Sequence, residues 1–487
     1  MRLTILAFSL LSLSLFAEIP DESQFVSSTK ASFDGNNLLL QGHVILEHSI
    51  GKLCAEKASL QRQESSKDFP FSLIDLEKDV LVTLPSDATL TCNQAHLDFI
   101  SLKGVLSSSD AGQVVYMDNI IQSKGDTIPF YMEGKTVDLA LNKQETSSER
   151  TEYKIDKITS NKNVLLKYGT LFSLKSDRAV YTSSIKSNMK KTQGTVSAFP
   201  EEPNDRCYLE HKNGKIDAQS FHFNFLTQEI SLIHPKGKLF LSFGQNPKLQ
   251  EVSFRSDDLI WNQLSHLLFL KKNVEIHDPS LGNIQAKEEV SFFGKDINNI
   301  QMLQTKGYSV LEYQEQSRAS SHRLISYGIL RIDRAHGNAI AESPEKQGKV
   351  LQNEQLYYEE DELSMYADKG SMEFSTTTDN IVQPISVTLK NNVRLISHNS
   401  QKPDRCALAD RVTYSPGTRT FILSANPGKK VLLWDQNETI QISANEIHIT
   451  QEPGEKKEAI KGVGNVKFTF SQEEQSLLEK IFPNIEL

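Results

Sequence analysis

A nine-residue frame, apolar at alternate positions with a small or polar residue at its centre, recurs along the whole chain. Its copies are Leu38, Leu40, Gly42, Val44, Leu46; Ile74, Leu76, Lys78, Val80, Val82; and Leu268, Leu270, Lys272, Val274, Ile276. Two more are Val387, Leu389, Asn391, Val393, Leu395 and Ile460, Gly462, Gly464, Val466, Phe468. Alternation of this kind has the period of a β-strand, so each copy places its apolar side chains on one face. The pattern predicts an extended all-β body with a continuous apolar interior.

A second element accompanies the first. Ala55-Glu56-Lys57-Ala58, Ser176-Asp177-Arg178-Ala179, Ala367-Asp368-Lys369-Gly370, Ala409-Asp410-Arg411-Val412 and Ala444-Asn445-Glu446-Ile447 each put one extra residue between a small position and a new alternation. An unpaired residue breaks period two as a bulge or corner does, so these sites predict bends around the edge of the body. Together the two elements predict repeated antiparallel rungs, each burying one face and passing its backbone pairing to the next. This explains how a chain with only 38% apolar residues can fold, since the other face of each strand can be wet.

Loop-like stretches at 182–206, 343–348 and 375–384, with a hairpin tip at 452–457, suggest modules at 25–182, 207–342 and 350–470. The middle module has the weaker pattern, and residues 127–170 resist assignment to rungs. Ser471 to Phe482 reads as a short amphipathic helix: Ser471 caps, Glu473 and Glu474 occupy the first turn, and Leu477, Leu478, Ile481 and Phe482 follow at helical spacing. Residues 1–17 read as a secretory signal peptide, Arg2 followed by an apolar run too short to span a bilayer. No later stretch predicts a transmembrane helix.

The net charge of -9 argues against a nucleic-acid partner, which would need a basic stripe. Cys54, Cys92, Cys207 and Cys406 are too dispersed for a metal knuckle or redox pair. One disulfide, Cys54 with Cys92 on neighbouring strands, is open in an oxidising compartment; buried free thiols are the other reading. No nucleophile elbow, phosphate loop, dinucleotide fingerprint or zinc helix occurs, and the histidines are scattered, with His43, His277 and His448 at outward positions. The expectation is therefore a protein that is not an enzyme and has no cofactor or metal.

What remains is the apolar face. If the facing sheets seal, it is an ordinary sandwich core. If they do not, its branched side chains line a groove that shelters hydrocarbon, with a gross drive of about 0.8 kcal/mol per CH₂. The residues set for that role are Leu38, Leu40, Val44, Leu46, Ile74, Leu76, Val80, Val82, Leu268, Leu270, Val274, Ile276, Val387, Leu389, Val393, Leu395, Val466 and Phe468.

Phe33-Asp34-Gly35 through Leu46, followed by Ala55-Glu56-Lys57-Ala58, resembles the OstA-like or LptA-like family of lipopolysaccharide transport proteins. Ala367-Asp368-Lys369-Gly370 with the Val387 to Leu395 frame resembles a second copy, and Ala409-Asp410-Arg411-Val412-Thr413-Tyr414 through Val466 continues it. The resemblance covers the N-terminal third and the last 150 or so residues well, and the middle only in pieces. It implies an antiparallel β-jelly roll that binds the lipid A part of lipopolysaccharide and bridges the two membranes of Gram-negative bacteria. It also implies a periplasmic location, with association to the outer membrane through end-to-end contacts with other jelly-roll proteins of that system. The chain is much longer than a minimal bridge and lacks the aromatic-girdled strands of an outer-membrane barrel downstream. The alternative is a secreted structural or adhesion β scaffold with a sealed core and no lipid ligand; an enzyme acting on polysaccharide or lipid would need acids converging in a cleft.

Overall fold

The computed structural model describes residues 25–470 except 63–70, 110, 122–125, 146–150, 185–192, 243–248, 297–298, 315–320, 361, 377–381, 400–401, 436–439 and 452–457. The signal-peptide segment and the helix expected over 471–482 lie outside the described residues. What is described is almost wholly strand, with one 3₁₀ turn at Gln352–Glu354. No helix among the described residues is long and apolar enough to cross a membrane.

The described residues form two compact units, one within 25–118 and 133–158, the other within 119–132 and 159–470. The module limits expected at 182–207 and 342–350 do not interrupt the second unit. Strand Phe172–Ser184 pairs with both Gln193–Phe199 and Cys207–His211, and Asn338–Glu342 pairs with Lys369–Thr376. Residues 127–170 also contribute regular strands, Thr127–Gly134, Thr136–Glu145 and Thr151–Tyr168.

The second unit is two antiparallel ladders fed alternately by one chain. Hairpins in the first ladder include Ser220–Asn224 with Glu229–Ile233, Asp258–Asn262 with Leu267–Lys271, and Ile329–Asp333 with Asn338–Glu342. In alternation with these the chain lays down hairpins of the second ladder: Cys207–His211 with Gly214–Ala218, Val274–Asp278 with Gly282–Ala286, and Ser309–Gln314 with Ser321–Ser326. Each hairpin pairs with the next one in its own ladder, as Glu229–Ile233 does with Asp258–Asn262. The long strands Val382–Asn399 and Lys402–Ser415 run through both ladders.

The two sequence elements are the two kinds of corner between ladders. At the centre of the frame, two successive residues turn left-handed: Lys272 and Asn273 (φ 58° and 48°), and Asn391 and Asn392 (φ 62° and 50°). Two inserted residues preserve the parity of the alternation, so Leu270 before the corner and Val274 after it both point inward. The same device at Lys162 and Asn163 (φ 62° and 53°) marks a frame, Ile158 to Leu166, in the stretch where the sequence pattern was poorest. At the returning corner a single extra residue changes the parity: Asp368 and Lys369 stand between the buried Ala367 and Gly370, which lines the interior.

The corners also lock one another. Asp368 N–H donates to the Asn391 carbonyl at 3.1 Å, and Asn392 Nδ2 donates to Asp368 Oδ2 at 2.6 Å. Asp257 and Asn273 repeat the arrangement, with Asn273 Nδ2 donating to Asp257 Oδ2 at 2.8 Å. Asn tolerates left-handed backbone better than branched residues, and its amide reaches the neighbouring corner; the frame's polar centre has both uses.

In the first unit the long strands Asn37–His48, Gly51–Arg62 and Phe71–Thr83 bend at the same places. The register shifts between Gln41 and Val44, between Cys54 and Lys57, and between Glu77 and Val80. Its interior, with Leu40, Val44, Leu46, Ile74, Leu76, Val80 and Val82, is fully buried. The Cys54–Cys92 pairing fails on geometry. Both residues flank the same strand, Cys54 opposite Leu81 and Cys92 opposite Val80, which sets them two strand spacings apart, about 9.5 Å. Cys92 points inward and Cys54 to the other face, and all four cysteines are free thiols.

Candidate functional site

Because the corners join the ladders along one edge, the hairpin tips lie along the other, and what closes that second edge decides whether the interior is reachable. In the first unit His48 packs at the tips with Phe99 and Tyr153, ring centroids 4.3 and 5.6 Å away. Near the start of the second unit the closure is aromatic: Tyr168 and Phe172 of one side meet Phe223, with centroids 5.1 Å apart in each case. One rung on, His211 of the second ladder lies against Trp261 of the first at 4.2 Å. His48 Nδ1 accepts from Ile50 N–H and His211 Nδ1 from Asn213 N–H, the same tip geometry in both units. Burial pushes the His48 imidazole down to about 4 and that of His211 to about 3, Lys212 adding to the latter.

The next closure is ionic. Arg334, just past strand Ile329–Asp333, reaches across to the tip of Val274–Asp278, where Nη2 lies 3.4 Å from Asp278 Oδ2 and donates to Ser280 Oγ at 2.6 Å. Asp278 Oδ1 takes the backbone N–H groups of Ser280 and Leu281 as well, so the carboxylate is well satisfied although only 3% of its side chain is exposed.

Beyond Arg334 the described residues form no such closure, and a cavity of about 610 Å³ lies between the ladders. Its volume falls within the range of small-molecule sites, about 300–1,000 Å³. The cause is side-chain size. Earlier rungs of the first ladder point Leu259 and Trp261, then Leu268 and Leu270, then Val290 and Phe292 inward. Here the corresponding face carries Ala339 and Ala341, with Gly370 paired directly beside Ala341. Leu330, Ile332 and Met372 complete that wall, and Leu311, Leu324 and Leu356 of the second ladder face it.

Polar groups gather at the tip end of the second ladder. Tyr313 is register partner to His322, and His322 to Glu360, so the three form one inward row across adjacent strands. His322 Nδ1 lies 2.8 Å from Tyr358 Oη, and that hydroxyl donates to Glu360 Oε2 at 2.9 Å. The opposite rim is Phe374, Val382, Pro384, Tyr414 and Pro416. The result is an apolar well with one hydrogen-bonding end, which is the form of a site for an amphiphile.

Among the sequence-expected lipid-facing residues, Val387 and Leu389 line this cavity. Leu38 is part-buried in the first unit. Leu40, Val44, Leu46, Ile74, Leu76, Val80 and Val82 are packed into that unit's interior, and Leu268, Leu270, Val274, Ile276, Val393 and Leu395 into that of the second. Val466 and Phe468, expected in the interior, are instead 38% and 53% exposed. Phe468 pairs with the buried Ile442, but strand Lys467–Phe470 is the last described strand of its ladder, so nothing described covers it. The sequence reading missed the row of Tyr313, His322 and Glu360 and the Tyr358 hydroxyl beside it. Its signal was present: polar side chains at positions where the alternation calls for apolar ones. Among the described residues, no group of three or more His, Cys, Asp or Glu side chains could hold a metal ion.

No protein-family model and no curated protein matches the chain. Among solved structures, "Crystal Structure of TcdB2-TccC3" aligns at 7% identity over 86% of this chain and 36% of that one, with a TM-score of 0.08. The same complex without its hypervariable C-terminal region aligns at 6% identity over 85% of this chain and 34% of that one, with a TM-score of 0.07. The chain thus spans about a third of the length of these structures, and scores this low carry no argument about fold or function.

Proposed function

We propose that the chain is a lipid-binding protein that shelters an acyl chain between its ladders. The observation that supports this is the apolar cavity where Ala339, Ala341 and Gly370 replace the large inward side chains of earlier rungs. A saturated chain of about twelve carbons gains roughly 9 kcal/mol gross on leaving water, enough to hold it against the cost of association. The resemblance to the OstA-like or LptA-like family makes lipopolysaccharide, through its lipid A portion, the favoured cargo. It further makes the periplasm the favoured location, with similar jelly-roll proteins as partners. Handover would be passive, since the reading assigns the chain no catalytic group.

The packed interior of the first unit restricts the proposal. Entry is assigned to the cavity rather than to a conduit along the entire body. A photo-crosslinking residue placed at Leu389 is expected to capture a radiolabelled acyl lipid, and one at Leu40 to capture far less. Filling the cavity with Ala341→Phe should abolish capture at Leu389 while circular dichroism stays unchanged. Equal capture at Leu40 and Leu389, or full capture in the filled variant, would remove the basis for the cavity.

The sealed-scaffold reading keeps one specific observation in its favour, the tight tip closures at His48, His211 and Arg334. Absence of acyl capture at Leu389 in delipidated protein would decide for it.

A further inference from the structure

The cavity's lining is asymmetric in charge and in hydrogen-bonding sense. Among the described residues that line it, Glu360 carries a negative charge and no Lys or Arg is present. Glu360 is only 18% exposed and inward-facing, and its carboxylate can only accept. It takes one hydrogen bond from Tyr358, which leaves lone pairs on a group with capacity for about four. His322, 17% exposed, lies 3.8 Å from Glu360 through Nδ1 and so belongs to the same row. The Tyr313 hydroxyl donates to the Val382 carbonyl on the opposite rim at 3.4 Å.

We infer that the polar row selects the head of the bound amphiphile: an uncharged group that donates a hydrogen bond, a hydroxyl or an amide N–H, in preference to a carboxylate. The inference rests on the lipid-binding reading of the same cavity. Its physical basis is that a second carboxylate beside Glu360 would bring two like charges together in a poorly solvated site. A donor head instead gives the buried acceptor a second partner. A head that can only accept, such as a methyl ester, meets an acceptor and gains nothing from Glu360. Glu360 is thus a specificity residue and the apolar walls are not: Leu311, Leu330 and Leu389 would treat all these chains alike.

The test uses the full chain, delipidated, with a fluorescent acyl probe displaced at pH 8 by 1-dodecanol, methyl dodecanoate or dodecanoate. Dodecanol is expected to displace the probe at a concentration about tenfold lower than either of the others, a difference of about 1.4 kcal/mol. Glu360→Gln should bring dodecanoate to within about twofold of dodecanol, because the neutral amide removes the repulsion and adds a donor. Retained probe binding by the variant shows that its cavity is intact. Equal displacement by dodecanol and dodecanoate in the parent chain, or an unchanged ratio in Glu360→Gln, overturns head selection and leaves the cavity reading standing. Failure of all three to displace the probe, with probe binding also indifferent to Ala341→Phe, overturns both.

Discussion

Acidification should weaken the closure at His211. The imidazole is buried against Trp261, and its Nδ1 is committed to the Asn213 N–H, so the native state holds it neutral, its pKa pushed from 6.5 to about 3. In the unfolded chain it titrates normally. Between pH 6.5 and pH 3 the unfolded state therefore binds more protons than the native one, and stability falls as pH falls through that window. Above pH 6.5 the contribution is complete, and below pH 3 no more is lost. At pH 5 the deficit is 1.5 units, or about 2 kcal/mol at 1.36 kcal/mol per unit. The assay is urea unfolding at pH 7.5 and pH 5, followed by Trp261 fluorescence in a Trp434→Phe background, since these are the only 2 tryptophans. His211→Phe keeps a ring against Trp261 and removes the titration. The variant is expected to be less stable at both pH values, having lost an acceptor for Asn213, but its loss on acidification should be about 2 kcal/mol smaller than that of the parent chain. An identical pH dependence in the two proteins would refute the claim that a buried neutral imidazole fastens the tips.

Asp278→Ala should cost about 3–5 kcal/mol, because it removes the carboxylate facing the Arg334 guanidinium, whose side chain is 4% exposed; Asp278→Ala with Arg334→Met should recover much of it, as chemical denaturation would reveal. Asn391→Val places a branched residue at φ 62° and should lower stability by about 1–2 kcal/mol, against a smaller effect for Asn391→Gly; equal effects would argue against left-handed corners. Gly282→Ala should be more severe than either, since at φ 91° a Cβ would stand 2.0 Å from the Glu312 carbonyl oxygen, a clash only backbone movement relieves; solubility and thermal midpoint report it. In the native chain a thiol reagent at pH 8 should modify Cys54 fastest, because burial raises the Cys92 and Cys207 thiols to about 12 and Cys406 to about 11; modification of all four at one rate would contradict their placement.

Alternation along the chain, by itself, determined that the protein is all-β, which residues face inward in most of the frames, and that strands bend at the second element; that the frame's polar centre is a corner too came from the backbone. Leu268 to Ile276 is sufficient to see why: four aliphatic residues in period two demand one buried face, and the Lys272-Asn273 centre has the residue types a left-handed corner accepts. Patterning is local, and those decisions are local.

Only the tertiary structure decided how the loops at 182–206 and 343–348 relate to the ladders, because strand pairing across a loop leaves no mark in either strand. It also decided between packed core and cavity. Leu270 and Leu389 occupy like positions in their frames, yet Leu270 is packed and Leu389 borders open space, because what faces each one comes from distant rungs. The Ala341 and Gly370 pair empties the interior only because register sets two small residues side by side, and packing density depends on that sum of facing volumes. Tyr313, His322 and Glu360 likewise come from three strands, and pairing alone makes them a row.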